Sequence, residues 1–178
     1  MKRFAFPILA FMLLTASPAT SQTIYTVKRI VDGDTITVSD GKRDLRVRFA
    51  CVDAAEVAHS RREQASRDPI DRNQYLWGDR ATEKLRQLLA QSGNRVLLNI
   101  TSSDHRRRAV AEVRLPDGTF VQEALTRAGL ARAYRRYYQN CPSSALIDRA
   151  EAEAQQTRSG TWSDAQFRPP WEFRKRQR

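Results

Sequence analysis

The sequence predicts an α+β fold that is mainly β: a five-stranded barrel with three helices. Three observations lead there. Five short runs are β-branched or alternate in polarity, Gly- or Pro-containing turns separate most of them, and helical spacing appears after the third run and twice after the fifth. The order strand-strand-strand, helix, strand-strand, helix-helix is that of a small barrel of the OB type. A length of 178 residues suits one domain, and 40% hydrophobic content argues against wholesale disorder.

Each element has its own local reason. Residues 24–31 alternate imperfectly, but their β-branched content favours a strand. Asp32-Gly33-Asp34 makes a turn into a second strand at 35–38, so the pair reads as a hairpin. After the turn at Asp40-Gly41, Leu45, Val47, Phe49 and Cys51 share one parity, giving a third strand at 44–52 with Arg46 and Arg48 on its other face. Residues 57–77 lose all periodicity and read as a long loop. Ala81, Leu85, Leu88 and Leu89 then follow helical spacing, with Asp79 as the expected cap and Gly93 as the stop. Strands follow at 96–100 and 109–115, the second opened by Arg106, Arg107 and Arg108. Val121, Ala124, Leu125 and Ala128 mark a short helix that stops at Gly129. Ser144 opens the last helix, which ends near Gly160-Thr161-Trp162. Trp77 and Trp162 are expected in the core. The basic tail, residues 167–178, has two prolines and no period and is expected to be disordered.

The chain begins with an address. Lys2 and Arg3 precede an apolar run at 4–14 and then small residues, so residues 1–21 read as a secretory signal peptide cut after Ser21. The run is too short to span a bilayer, which takes about 20 apolar residues. The folded domain is then 22–166, in a protein secreted or held in the periplasm. An oxidising compartment permits a disulfide, and Cys51 and Cys141 allow one pairing; the alternative is two buried thiols.

Charge narrows the partners. Lys and Arg number 31 against 20 Asp and Glu, a net charge of +11, and 26 of the 31 are arginine. Arginine grips phosphate through two parallel hydrogen bonds, so a polyanion comes first, ahead of acidic lipid or polysaccharide. His59 and His105 are the only histidines, which argues against a multi-histidine metal centre, and their spacing to the two cysteines matches no zinc motif. Neither histidine is given a role. Oxygen ligands are better supplied. Asp32 and Asp34 lie in the first hairpin, and Asp53 and Glu56 follow the third strand, so they can converge on a hard cation. An EF-hand loop at Asp32 fails because Ile36 stands where Asp or Asn is required. The bland reading of Asp-Gly-Asp is a plain turn. Arginines nearby favour a site, because cation and guanidinium together stabilise charge developing on phosphorus.

The runs Val31-Asp32-Gly33-Asp34-Thr35 and Val47-Arg48-Phe49-Ala50-Cys51-Val52-Asp53-Ala54-Ala55-Glu56 resemble the staphylococcal nuclease (thermonuclease) family. The resemblance continues through Gly78-x-x-Ala81, Asp104-x-x-x-Arg108-x-x-Ala111, Glu123-Ala124-Leu125-x-x-x-Gly129-Leu130-Ala131 and Gly160-Thr161-Trp162. It implies a secreted OB-fold endonuclease that uses Ca²⁺ to hydrolyse DNA and RNA to 3′-phosphate products. Asp34 and Asp53 would ligate the metal, with the backbone carbonyl of Ala54. Glu56 would be the general base, and Arg48 and Arg108 would hold the phosphate. Two departures stand out. Ala54-Ala55 replaces the family's Thr-Pro or Ala-Pro, leaving Glu56 less restrained, and the family's Asp-x-Tyr-Gly-Arg becomes Asp104-His105-Arg106-Arg107-Arg108.

Arg106 and Arg107 are expected to add substrate contacts. Tyr134 and Tyr137, set among arginines, either stack bases or pack on the surface. A monomer is expected. The competing functions are a non-catalytic OB-fold module that binds nucleic acid and a basic secreted protein that coats acidic surfaces. Three carboxylates facing a phosphate distinguish the nuclease, since without a metal they would repel it.

Overall fold

The computed structural model describes residues 23–177. The leader expected at 1–21 lies outside them. Five strands close a barrel in the order β1 (Ile24–Asp32), β2 (Thr35–Ser39), β3 (Asp44–Phe49), β6 (Ala109–Arg114), β5 (Arg95–Ser103). All neighbouring pairs are antiparallel except β3 with β6. β4 (Val52–Ala54) and β7 (Ala131–Ala133) form a separate two-stranded ribbon. The expected five-stranded α+β barrel is therefore present. Ile36, Val38, Val47, Phe49, Val96, Ala111 and Val113 fill the core, with Leu85, Leu88 and Leu89 from α2 (Pro69–Gln91). α3 (Val121–Arg127) adds Val121 and Leu125, and α4 (Ser144–Gln156) adds Ile147.

The expected third strand is two. Cys51 has φ +74°, a left-handed conformation that breaks the extended run, so β3 ends at Phe49 and β4 starts at Val52. The bend turns Asp53 out of the barrel ladder. It is tied down by a disulfide from Cys51 to Cys141, whose Cα atoms are 5.3 Å apart. Buried Glu112 fastens the same corner, accepting from the Ser143 N–H (2.7 Å) and hydroxyl (3.1 Å).

The long loop expected at 57–77 is largely helical. α1 (Arg61–Gln64) carries a capping box between Ser60 and Glu63. α2 starts at Pro69, ten residues before the expected cap Asp79, with Asp68 accepting from the Ile70 N–H at 2.8 Å. Its first turns bury Gln74, Trp77 and Gly78, a face without aliphatic residues, so the apolar period is absent from the sequence there. The tail expected to be disordered forms α5 (Pro170–Arg176), with Phe173 only 1% exposed. Trp77 is buried as expected, whereas Trp162 is half-buried.

The disulfide closes a loop of 90 residues across the barrel corner. Its reduction is expected to lower unfolding stability by about 2–4 kcal/mol. Urea denaturation with and without reductant measures this, and coincident midpoints would refute it.

Candidate active site

The first hairpin turn places Asp34. Asp32 accepts from the Asp34 N–H at 3.0 Å, a side-chain turn that needs no partner from elsewhere. Gly33 stands where a Cβ would lie 2.6 Å from the Ala81 Cβ and 2.9 Å from the Ala54 Cβ, so only glycine lets α2 and β4 close on this turn. Asp34 is consequently buried, at 1% exposure. Its Oδ2 accepts from the Ala54 N–H (2.6 Å) and its Oδ1 from the Thr35 hydroxyl (3.2 Å).

Arg48, opposite Thr35 on β3, extends its guanidinium between two carboxylates. One Nη donates to Asp34 Oδ1 and the other to Asp53 Oδ1. Asp53 is wholly buried on β4. Two buried carboxylates this close require a counter-charge, since an unpaired buried charge costs several kcal/mol.

Glu56 follows β4 and is more open, its side chain 28% exposed. Its backbone is held by α2. A Cβ on Gly78 would stand 2.6 Å from the Glu56 carbonyl carbon, so the helix can press on this segment only at a glycine. The amide of buried Gln74, oriented with both ends satisfied, accepts from the Glu56 N–H (3.2 Å) and donates to the Arg168 carbonyl (3.1 Å). These contacts supply the restraint that the missing proline would have given. The Gly78-x-x-Ala81 spacing thus presses one helix face on both carboxylate-bearing segments.

Arg108 enters from a turn, not from a strand. The run Arg106-Arg107-Arg108 precedes β6, so strand alternation does not govern it. Asp104 organises the turn, accepting from the Arg106 N–H (2.9 Å), the Arg108 N–H (2.9 Å) and the Arg108 Nε (2.7 Å). Partial burial alone would raise the Asp104 carboxyl pKa, but these bonds outweigh it and hold it below the usual carboxylate range. Arg107 has φ +58°, the position where the family pattern carries glycine. Arg48, Glu56, Arg106, Arg108, Tyr134 and Tyr137 all line one cleft of about 790 Å³; Arg107 is outside its lining. Tyr134 packs edge-on to Tyr137, with centroids 5.1 Å apart.

One residue of the site was hidden in the sequence. Arg174, on α5, donates to both Asp53 and Glu56. Burial opposes its charge, but the bonds and charges of Asp53 and then Glu56 prevail and raise its pKa. Nothing periodic marks this tail, although Pro170 at the first helical position and a basic last turn are readable helix signals. Asp104, Gln74 and Gly33 likewise act as supports that no local sequence pattern marks. Their roles rest on contacts across the fold.

A family profile described as "Staphylococcal nuclease homologue" matches residues 46–164, more than half of the chain. The chain belongs to the staphylococcal nuclease family. Among its relatives in this family, a protein named "Uncharacterized endonuclease" from Escherichia coli O157:H7 is 31% identical over 150 residues, covering 84% of each chain. A "Micrococcal nuclease" of Shigella flexneri is 30% identical over 172 residues, covering 93% of this chain and 88% of its own. A "Thermonuclease" of Staphylococcus intermedius is 31% identical over 138 residues, covering 78% and 75%. The nuclease-family match begins at Arg46, so it contains Arg48, Asp53, Glu56 and Arg108. Asp34 precedes it and joins the group through its bonds to Arg48 and Ala54.

Gly78→Ala is expected to force α2 and the Glu56 segment apart and lower stability by about 1–3 kcal/mol, as overpacking does. Exposed Asp79→Ala should stay within about 0.5 kcal/mol of the parent. Chemical denaturation of the two variants checks both, and equal effects would refute the close-approach role.

Proposed function

We propose that this protein is an exported, Ca²⁺-dependent endonuclease that hydrolyses the phosphodiester bonds of DNA and RNA, leaving 3′-phosphate products. The observation that carries the reading is the buried Asp34–Arg48–Asp53 triad, with Glu56 and Arg108 lining the cleft beside it. Its donor set fits a hard cation. Both carboxylates are buried, all their donor atoms are oxygen, and they lie near enough to share one guanidinium, so they can share one ion. Both cysteine sulfurs are consumed in the disulfide. Asp34 and Asp53 would hold Ca²⁺, with the Ala54 carbonyl as a further oxygen, and the bound ion would supply charge neutralisation at the phosphate.

The chain's own groups do the rest. Arg48 and Arg108 bind the phosphate oxygens, and Asp104 keeps the Arg108 guanidinium from wandering. Glu56, the most open of the three carboxylates, accepts a proton from water as the water oxygen bonds to phosphorus. The bond from phosphorus to the 5′ oxygen breaks on the opposite side, and that oxygen takes a proton from solvent water as Glu56 returns its own to solvent. Arg29, Arg46 and Arg106 line a neighbouring groove and extend positive charge along the polyanion. Exposed Tyr137 offers a ring for unpaired bases, backed by Tyr134, which favours single-stranded or denatured substrate. One chain carries every group named, so a monomer suffices. The disulfide supports an oxidising compartment, as export from the leader at 1–21 would provide.

The test is incubation with denatured DNA in Ca²⁺ or in excess chelator. Cleavage is expected only with Ca²⁺, less with Mg²⁺, and steeply reduced in Asp34→Asn. Full activity in chelator would overturn the assignment. Binding without cleavage under every condition would instead support a non-catalytic module.

Within the site, Glu56→Gln should lower turnover by about 10²–10⁴-fold, the usual share of a general base. Arg108→Ala should cost about 10²–10³-fold, as loss of one charge-stabilising donor does. Arg107→Gly should leave turnover intact, because that side chain lies outside the cleft lining and its φ suits glycine. Turnover at saturating DNA separates them; a dead Arg107→Gly would overturn the assignment of roles in this turn.

A further inference from the structure

α5 lies beyond residue 164, where the family match ends, and it is held at three points, two in the cleft and one at the start of α2. Phe173 is buried against the edge of Tyr75, at 6.1 Å between ring centroids. Trp171 stacks on Tyr134 at 5.3 Å and 9°. Arg176 pairs with Asp68 and Asp71 at the start of α2. From this fixed base Arg174 reaches inward. Its Nη2 donates to Asp53 Oδ2 at 2.5 Å, and its Nη1 donates to Asp53 Oδ1 at 3.1 Å and to Glu56 Oε1 at 2.6 Å.

We propose that Arg174 competes with the cation for one of its two carboxylates: it holds Asp53 and Glu56 in the cation-free protein and releases Asp53 when the cation loads. This rests on the cation-dependent reading above.

Two arguments carry it. The first is the supply of oxygen lone pairs. Both oxygens of Asp34 accept bonds from Arg48, Thr35 and Ala54, and both oxygens of Asp53 accept from Arg48 and Arg174. A calcium ion needs such oxygens at about 2.3–2.6 Å, inside the space that a donated N–H occupies. Of the donors on Asp53, Arg174 is the one from outside the barrel, and it is partly exposed, 35% against 18% for Arg48. The second is charge. Three carboxylates and two guanidiniums leave one negative charge, so a divalent ion added with both guanidiniums in place would make the cluster positive. Departure of Arg174 restores neutrality. The buried Phe173 keeps α5 seated, so the movement is that of one side chain, which swings within the cleft it already lines.

Calorimetric titration of the full-length protein with Ca²⁺, without nucleic acid, tests this in the parent, Arg174→Ala and Arg174→Gln. If Arg174 fills the site about nine-tenths of the time, both variants should bind Ca²⁺ about tenfold more tightly, because the competent fraction divides the intrinsic affinity. Arg174→Gln keeps the stem and guards against a failure of the alanine variant to fold, which thermal melts reveal. In the parent, Ca²⁺ should also shift the Arg174 side-chain resonances in an NMR spectrum with labelled arginine. Unchanged or weaker affinity in a folded variant would overturn the proposal and leave Arg174 as a strut for α5. No Ca²⁺ binding by any of the three would overturn it together with the calcium assignment. Tight binding without cleavage of DNA would overturn the nuclease reading and leave the competition standing.

Discussion

Asp34 and Asp53 share the guanidinium of Arg48, and most of the functional half of the molecule follows from that contact. Neither carboxylate touches water to any useful extent, and charge of one sign cannot be buried twice in one place without an answer. Arg48 answers both from β3, the strand that lies between the two segments. For that to work, the β1–β2 turn and β4 must approach within hydrogen-bond reach, and each close approach has a backbone device behind it. Gly33 admits Ala81 and Ala54. Cys51 bends the chain so that Asp53 leaves the barrel ladder, and its disulfide holds the bend.

Around this fixed centre the remaining groups differ in rigidity. Arg108 is clamped by Asp104 through backbone and side chain together, which suits a group that must meet one phosphate geometry. Glu56 has a fixed backbone, set by Gly78 and Gln74, and a more open side chain, which suits a group that must exchange a proton with water. Arg174 is a long side chain on a seated helix, the most adaptable of the three. The gradient runs from buried pair to open rim, and it matches a centre that binds charge and an edge that admits substrate.

The barrel was legible because strands with one buried face write a period of two into the sequence, and Val47 with Phe49 shows it plainly. The start of α2 was illegible for the converse reason. Its buried face is made of Gln74 and Gly78, which meet the Glu56 backbone, and Trp77, which meets Phe167 and Asp164, so no aliphatic period results. α5 is hidden because a helix of about two turns with one buried aromatic, Phe173, carries almost no periodic signal. Local rules still held in both places: a capping aspartate before Pro69, and proline at the first position of α5.

By itself the sequence placed five barrel strands along the chain, left one possible pairing for its two cysteines, and put forward Asp34, Arg48, Asp53, Glu56 and Arg108 as candidates, because those depend on local period and on short motifs. Tertiary structure decided three things. The arginine run belongs to a turn built on Asp104, so that Arg107 is excluded from the cleft lining. A helix glycine, not a proline, restrains Glu56. An arginine 121 residues from Asp53 shares its carboxylate. Each is a contact between segments distant in the chain, and the physical reason they were hidden is common to all: a hydrogen bond or a close approach constrains position in space and leaves no period in the sequence.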